Sequence, residues 1–242
     1  MRNLFCLLLT FIASTVGFGQ TPDKNTIGII KLNLTSLLDE TTFPTINVSL
    51  EKKISRTGSL TFEAGYQIYS IGNSADTSFV NNRGFKLAFE FRHYLNQKDV
   101  AKLTGYYIAA NIFQRSNQYT EDLMYSLQQE KDNPNQRLED EFVVKKSVTG
   151  LNFVLGKQSN PTAKTWLKKY KGLSKIFIDP YIGLGIFYRQ VKNERREFEE
   201  GKHERYKSRH PNAYDIFASS GLAENTGFRP SLIGGIRLGI ML

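Results

Sequence analysis

Cysteine is nearly absent from this sequence, and that absence excludes a good deal. The one example, Cys6, lies in an apolar run at the very start, so the chain beyond it has no thiol for a disulfide framework or a Cys-ligated metal. A lipid-anchored cysteine needs an apolar segment before it, and only five residues precede Cys6. Long hydrophobic runs are missing as well. After residue 20 none approaches the about 20 apolar residues of a membrane-spanning helix. Histidine is limited to His93, His203 and His210, whose spacing fits no compact metal-ligand motif. There is no G-x-S-x-G elbow, and Gly183-Leu184-Gly185 lacks the third glycine and following helix of a nucleotide loop. No catalytic residue, metal or cofactor is expected from this inventory.

What the chain does have begins at its N-terminus. Arg2, the apolar stretch 4–16 and the small residues Gly17 and Gly19 have the order of a secretory signal, expected over residues 1–19 with cleavage after Gly19. An uncleaved membrane anchor is the alternative. Residues 20–242 are then expected to form one domain.

That domain is written in period two. In SLTFEAGYQIY, residues 59–69, Leu60, Phe62, Ala64, Tyr66 and Ile68 alternate with Thr61, Glu63, Gly65 and Gln67. Such alternation marks a strand with one apolar and one polar face. Similar runs occupy 26–34, 45–52, 84–94, 104–114, 147–157, 175–189 and 228–242, which makes eight. Each is near the about 9–11 residues of a tilted strand that crosses a membrane. A helical reading fails because charges would fall all round the cylinder. The connections alternate in length: those after even strands are the shorter, and those after odd strands grow to 115–146 and 190–227.

Alternation alone does not say which face is outside. The polar face carries Lys31, Glu51, Glu63, Lys86, Glu90, Arg92, Arg189 and Arg237, interleaved with Gly65, Gly183, Gly185, Gly235 and Gly239. Glycine beside a long charged side chain suits a crowded interior, whereas on a solvated face it only weakens the strand. The expected fold is therefore all-β: an eight-stranded antiparallel up-and-down transmembrane β-barrel with long outer loops and apolar residues facing lipid. A hairpin hidden in a loop would raise the count to ten. The alternative is a soluble secreted barrel that binds an apolar ligand.

The signal, KLNL in the first strand, FEFRHY, DPYIGLGIFYR and the closing SLIGGIRLGI together resemble the small OmpA/OmpX-like outer-membrane β-barrels, in particular their single-barrel subgroup. The resemblance implies the outer membrane of a Gram-negative bacterium as location. Many such proteins end in an aromatic residue, whereas this chain ends Ile240-Met241-Leu242.

Eight strands leave an interior just wide enough to be filled by side chains. Buried charges must be paired, so Glu51, Glu63 and Glu90 are expected to meet Lys86, Arg92, Arg189 or Arg237 in an ion-pair network; a gated conduit is the alternative. The turn 157–175 has lysines without an acid, with aromatics between them. Trp166, Tyr170, Lys168 and Lys169 are expected at the membrane interface, touching lipid rather than nucleic acid. His93 is expected to face outward at the turn end of its strand. Tyr119, Tyr125, Phe198, Tyr206, Tyr214 and Phe217 are candidate contacts for a surface ligand or protein in the outer loops. The expected role is a non-enzymatic barrel serving envelope structure or surface interaction, with a lipid-modifying enzyme or solute conduit as the alternative.

Overall fold

A computed structural model describes residues 28–38, 45–67, 80–95, 103–127, 138–161, 175–197, 203–205 and 226–242. The strands are β1 (Gly28–Asn33), β2 (Ile46–Lys53), β3 (Gly58–Tyr66), β4 (Val80–Tyr94), β5 (Gly105–Leu127), β6 (Leu138–Gln158), β7 (Ile176–Glu194), β8 (His203–Arg205) and β9 (Gly227–Met241). One short 3-10 turn, Thr35–Leu38, follows β1.

Each of β1 to β6 pairs antiparallel with the next along the chain, β7 pairs with β9, and β9 returns to β1. Eight antiparallel strands thus form one up-and-down ring sheet, with β9 closing on β1. The three-residue β8 lies outside the ring, on the far end of β5 at Tyr125–Leu127. The register is staggered. From Lys31 the paired row runs through Ser49, Glu63, Ala88, Phe113, Gly150 and Phe187 to Arg229, whereas Lys31 itself pairs with Gly239, ten positions away on the same strand. A sheet that closes with tilted strands requires such a stagger.

The wall is uneven in height. β1, β2 and β3 span 6, 8 and 9 residues, whereas β5, β6 and β7 span 23, 21 and 19. Much of the segments expected as outer loops is therefore strand: β5 continues to Leu127 and β6 starts at Leu138. Tyr119 and Tyr125 sit on β5 rather than in a loop, because β5 and β6 stay in register as far as Tyr125↔Leu138. The stretch is too polar to read as half-buried strand, but backbone pairing to a neighbour holds it regardless of side-chain pattern. Residues 1–19 lie outside the described residues.

Period two decides what points where. Lys31, Glu51, Glu90, Arg92, Asp179 and Arg237 are at most 3 % exposed, whereas Phe153, Leu155, Leu184 and Leu232 are at least 60 % exposed. Every ring strand contributes to this outer apolar face, from Ile30 and Leu50 round to Ile240. An apolar core cluster lies inside, at the end where β1 begins and β9 stops: Ile29, Tyr94, Leu103, Tyr107, Ala109, Val154 and Phe177.

Glycine makes the tightest side of the ring possible. A Cβ on Gly185 would stand 2.0 Å from the Leu151 carbonyl oxygen and 2.5 Å from Asn152 Oδ1, whereas one on Gly234 would meet nothing nearer than 3.6 Å. Gly185→Ala is expected to lower stability by about 1–3 kcal/mol through overpacking against backbone. Gly234→Ala should leave the guanidinium unfolding midpoint nearly unchanged. Equal midpoints for the two variants would contradict this packing.

Candidate functional site

The interior of the ring is layered. At the closed end the apolar cluster forms a floor. Tyr94 and Tyr107 belong to it through their rings, 5.6 Å apart, while their hydroxyls turn upward. Tyr94 Oη donates to Glu51 Oε1 at 2.8 Å, and Tyr107 Oη donates to Asp179 Oδ1 at 2.8 Å. The phenols so join an apolar floor to a charged layer, each end in its preferred surroundings.

In that layer Arg92 is the hub. Its Nε donates to Glu90 Oε1 at 2.6 Å, and its Nη1 lies 2.9 Å from Asp179 Oδ2 and 3.4 Å from Glu51 Oε2. Lys31 Nζ sits 2.6 Å from Glu51 Oε2 and 2.9 Å from Asp179 Oδ2. Arg237 reaches Glu90 Oε2 at 3.2 Å and Asp179 Oδ2 at 3.7 Å. Its Nε stands 3.3 Å from Glu63 Oε2, a charge contact whose geometry falls short of a hydrogen bond. Gln158 ties layer to floor: it accepts from Lys31 and from Arg92 and donates to the Leu103 carbonyl at 2.6 Å. Ser59 donates to Glu51. The Arg92 guanidinium also lies over the Tyr107 ring at 4.3 Å, and that of Arg237 over Tyr181 at 4.0 Å.

Six of the eight residues expected in an interior ion network therefore meet: Lys31, Glu51, Glu63, Glu90, Arg92 and Arg237. Sequence reasoning left out Asp179, although it lies on the polar side of its strand and contacts all three cations. The signal was its parity: it shares a face with Phe177 and Tyr181, both on the inner side of the strand. Lys31 was in the expected set but not named as a partner for the glutamates, yet it makes a short contact to Glu51.

Above the network the ring holds a cavity of about 670 Å³, lined by polar groups including Asn33, Asn47, Lys86, Asn111, Arg115 and Asn152. Lys86 is buried on this wall. Arg189 does not join the carboxylates; it stands higher on β7, half-buried, and its Nε and Nη2 have no hydrogen-bond partner among the described residues. His93 faces outward and is exposed. Tyr119 is 5 % exposed, with Lys146 Nζ 4.9 Å from its ring centre, so it is a buried wall residue. Phe198, Tyr206, Tyr214, Phe217, Trp166, Tyr170, Lys168 and Lys169 lie outside the described residues, as does the side chain of Tyr125. Among the described residues no three His, Cys, Asp or Glu side chains are grouped to hold a metal ion.

No protein-family model, curated protein or solved structure matches this chain. What the ring does has to be read from its own geometry.

That geometry closes one end. Three cations and four carboxylates interlock across the bore, and the aromatic floor lies beneath them. Removing one member leaves the others charged, buried and unmatched, which commonly costs about 3–5 kcal/mol. Arg92→Met is therefore expected to destabilise the fold by that order. Arg229→Gln, on an exposed residue of β9, should cost little. Guanidinium unfolding of the two variants beside the parent chain checks this, and an Arg92→Met protein as stable as the parent would contradict the hub role.

Proposed function

We propose that this chain is an eight-stranded outer-membrane β-barrel of the small OmpA/OmpX-like type, non-enzymatic, serving envelope structure or surface interaction through the tall wall of β5, β6 and β7. The observation that carries this reading is the inversion of the ring, with ion pairs inside and an apolar belt outside. Water would not favour such a belt: Phe153, Leu184 and Leu232 are 67, 66 and 73 % exposed, and their neighbours around the ring are also apolar. A contiguous exposed apolar surface of this extent marks a surface meant to be covered. A bilayer covers a closed ring on every strand, and it tolerates strands only when no backbone edge is left open.

The belt has the limits a bilayer imposes. On β7 it runs outward from Ile178 through Ile182, Leu184 and Ile186 to Tyr188, long enough for the about 9–11 residues of a tilted crossing strand. Aromatics mark its margins. Tyr188 packs on Phe228 with ring centres 5.1 Å apart at one margin, and at the other Tyr106 is exposed with Lys157 Nζ 4.8 Å from its ring centre. Girdles of this kind suit the headgroup level. A soluble barrel binding an apolar ligand would need the opposite arrangement, apolar inside and polar outside. An open solute conduit is disfavoured by the interlocked layer and floor across the bore.

In this reading the partner of the belt is outer-membrane lipid, the signal is removed on export, and nucleic acid has no part. Membrane fractionation and a denaturing gel run with and without boiling test the reading together. The expected result is recovery with the outer membrane and a change in mobility on heating. A protein that stays soluble without detergent and shows no shift would overturn the reading. A second expectation concerns the belt itself: Leu184→Arg should lower unfolding free energy in lipid vesicles by about 2–4 kcal/mol. The same change on a surface facing water would cost almost nothing, so an unaffected variant argues against lipid there. In planar bilayers the parent chain is expected to show no steady ion conductance.

A further inference from the structure

The seam between β9 and β1 closes over only part of its height. Their ladder runs from Ile29↔Met241 to Asn33↔Arg237, and the Leu34 amide adds one last bond to the Ile236 carbonyl. There β1 ends and the chain turns away through Thr35–Leu38. Ser36 Oγ donates to the Asn33 carbonyl at 2.7 Å, and the Ser36 carbonyl accepts from the Thr45 amide at 2.8 Å, which hooks this turn to the start of β2. β9 reaches further out, to Gly227, and there it is paired with β7 on its other side. Backbone groups of a strand point alternately to its two sides. Ile236 turns its carbonyl to β1, so Gly234, Leu232 and Pro230 turn theirs the same way, and none of these three bonds to a neighbour on that side among the described residues.

This open edge stands within the apolar belt. Its neighbours on β7 are Ile182, Leu184 and Ile186, and the Tyr188–Phe228 pair marks the margin beyond it. Bare backbone at such a depth is tolerated only where it is buried in protein or lines a water-filled cavity. The cavity of about 670 Å³ reaches this place: its walls include Thr35 and Ser36 on one side of the gap, and Leu232, Ile233 and Gly234 on the other. Leu232 and Gly234 belong to the outer face of β9 and Ile233 to the inner, so the cavity meets the strand from both faces. A Cβ on Gly234 would find nothing nearer than 3.6 Å, so the outer surface is hollow there. The gap is an opening between bore and belt.

An occupant of such an opening has to suit both sides. Outside it are the exposed side chains of Leu232, Ile182 and Leu184, a surface that an alkyl chain covers. Inside, the charges are engaged: Arg237 and Asn47 hold Glu63, Arg115 lies over the Phe113 ring, and Lys86 has a partner of its own. Two amide oxygens on the cavity wall, Asn47 Oδ1 and Asn152 Oδ1, are buried without a partner among the described residues. An amide oxygen is satisfied by a donor, and a hydroxyl is a donor that brings no charge. A polypeptide strand laid on the edge is a different occupant. Pro230 counts against it, because it has no N–H to give to a ladder on that side. We propose that the opening admits a membrane amphiphile with a neutral, hydroxyl-bearing headgroup. The headgroup lies in the cavity beside Asn47 and Asn152, and the alkyl chain lies along Gly234 and Leu232 in the bilayer. The network and floor beneath keep it from passing further. The inference rests on the outer-membrane reading, since the alkyl chain needs a bilayer.

Photolabelling tests this, with monododecanoylglycerol that carries a diazirine in its chain and the full chain inserted in phosphatidylcholine vesicles. Labelled residues are mapped by mass spectrometry. Labelling is expected to concentrate on residues 230–236 of β9, to saturate, and to be displaced by the unlabelled monoacylglycerol. Gly234→Trp fills the hollow on the outer surface, and Asn152→Leu removes the amide. Each should cut the displaceable labelling about fivefold or more. Leu155→Trp, on the exposed face of β6, should leave it unchanged. Labelling spread evenly round the belt, or unaltered in either of the first two variants, would overturn the proposal. So would labelling that spares β9 alone, the result expected if a polypeptide strand covers the edge. The heating shift, kept in all three variants, shows that they fold. A chain that neither inserts nor shifts sinks the outer-membrane reading and this one together; a chain that does both and labels evenly sinks this one alone.

Discussion

Arg92 joins parts of the ring that never pair. It takes Glu51 from β2, Glu90 from its own strand and Asp179 from β7, on the far side of the bore. Backbone hydrogen bonds hold each strand only to its two neighbours, so they set the circumference and leave the centre free. A guanidinium with donors along several directions in one plane can bind carboxylates from different walls at once. The cost of such a cluster is desolvation, and buried ion pairs are seldom a net source of stability against an apolar core. Their effect here is to specify: the set of partners around Arg92 is satisfied only when the ring is closed in this register.

That requirement explains the glycines. Long side chains converging on a narrow bore need neighbours without bulk, and at Gly185 the strands approach so closely that even a methyl group would meet backbone. It also explains why polar groups occupy the inside while the apolar groups stand on the outside. With the bore filled by charges and their amide and phenol partners, the alternate positions carry Ile, Leu and Phe to the exterior. The choice of interior thus dictates the chemistry of the exterior, because side chains of a strand alternate between two faces and no third is available.

The interior has a gradient along its axis, from apolar floor to compensated ion pairs to a row rich in cations. Each level follows from the one below. Aromatic hydroxyls on the floor seek acceptors and find Glu51 and Asp179; those carboxylates hold Lys31 and Arg92; and Arg237 uses the remaining Glu63 and Glu90. Above that network β5, β6 and β7 rise further than the other strands, and Arg189 stands on this taller wall.

Most of the ring was legible in period two. Runs such as 59–69 and 84–94 name both their strand and its two faces, since a half-buried strand leaves its mark on every second residue. The polar set from Lys31 to Arg237 was legible for the same reason. The far halves of β5 and β6 were not, because paired strand outside an apolar belt needs no alternation. Nor was the role of Asp179, whose parity could be read but whose reach across the bore could not. Sequence by itself determined the all-β class, the approximate strand positions and which residues share a face, because these depend on neighbours along the chain. Tertiary structure alone decided the closure of β9 on β1, the ten-residue stagger, and the meeting of Asp179 with cations from three other strands. Those depend on which strands meet across the ring, and residues far apart in the chain carry no local record of that meeting.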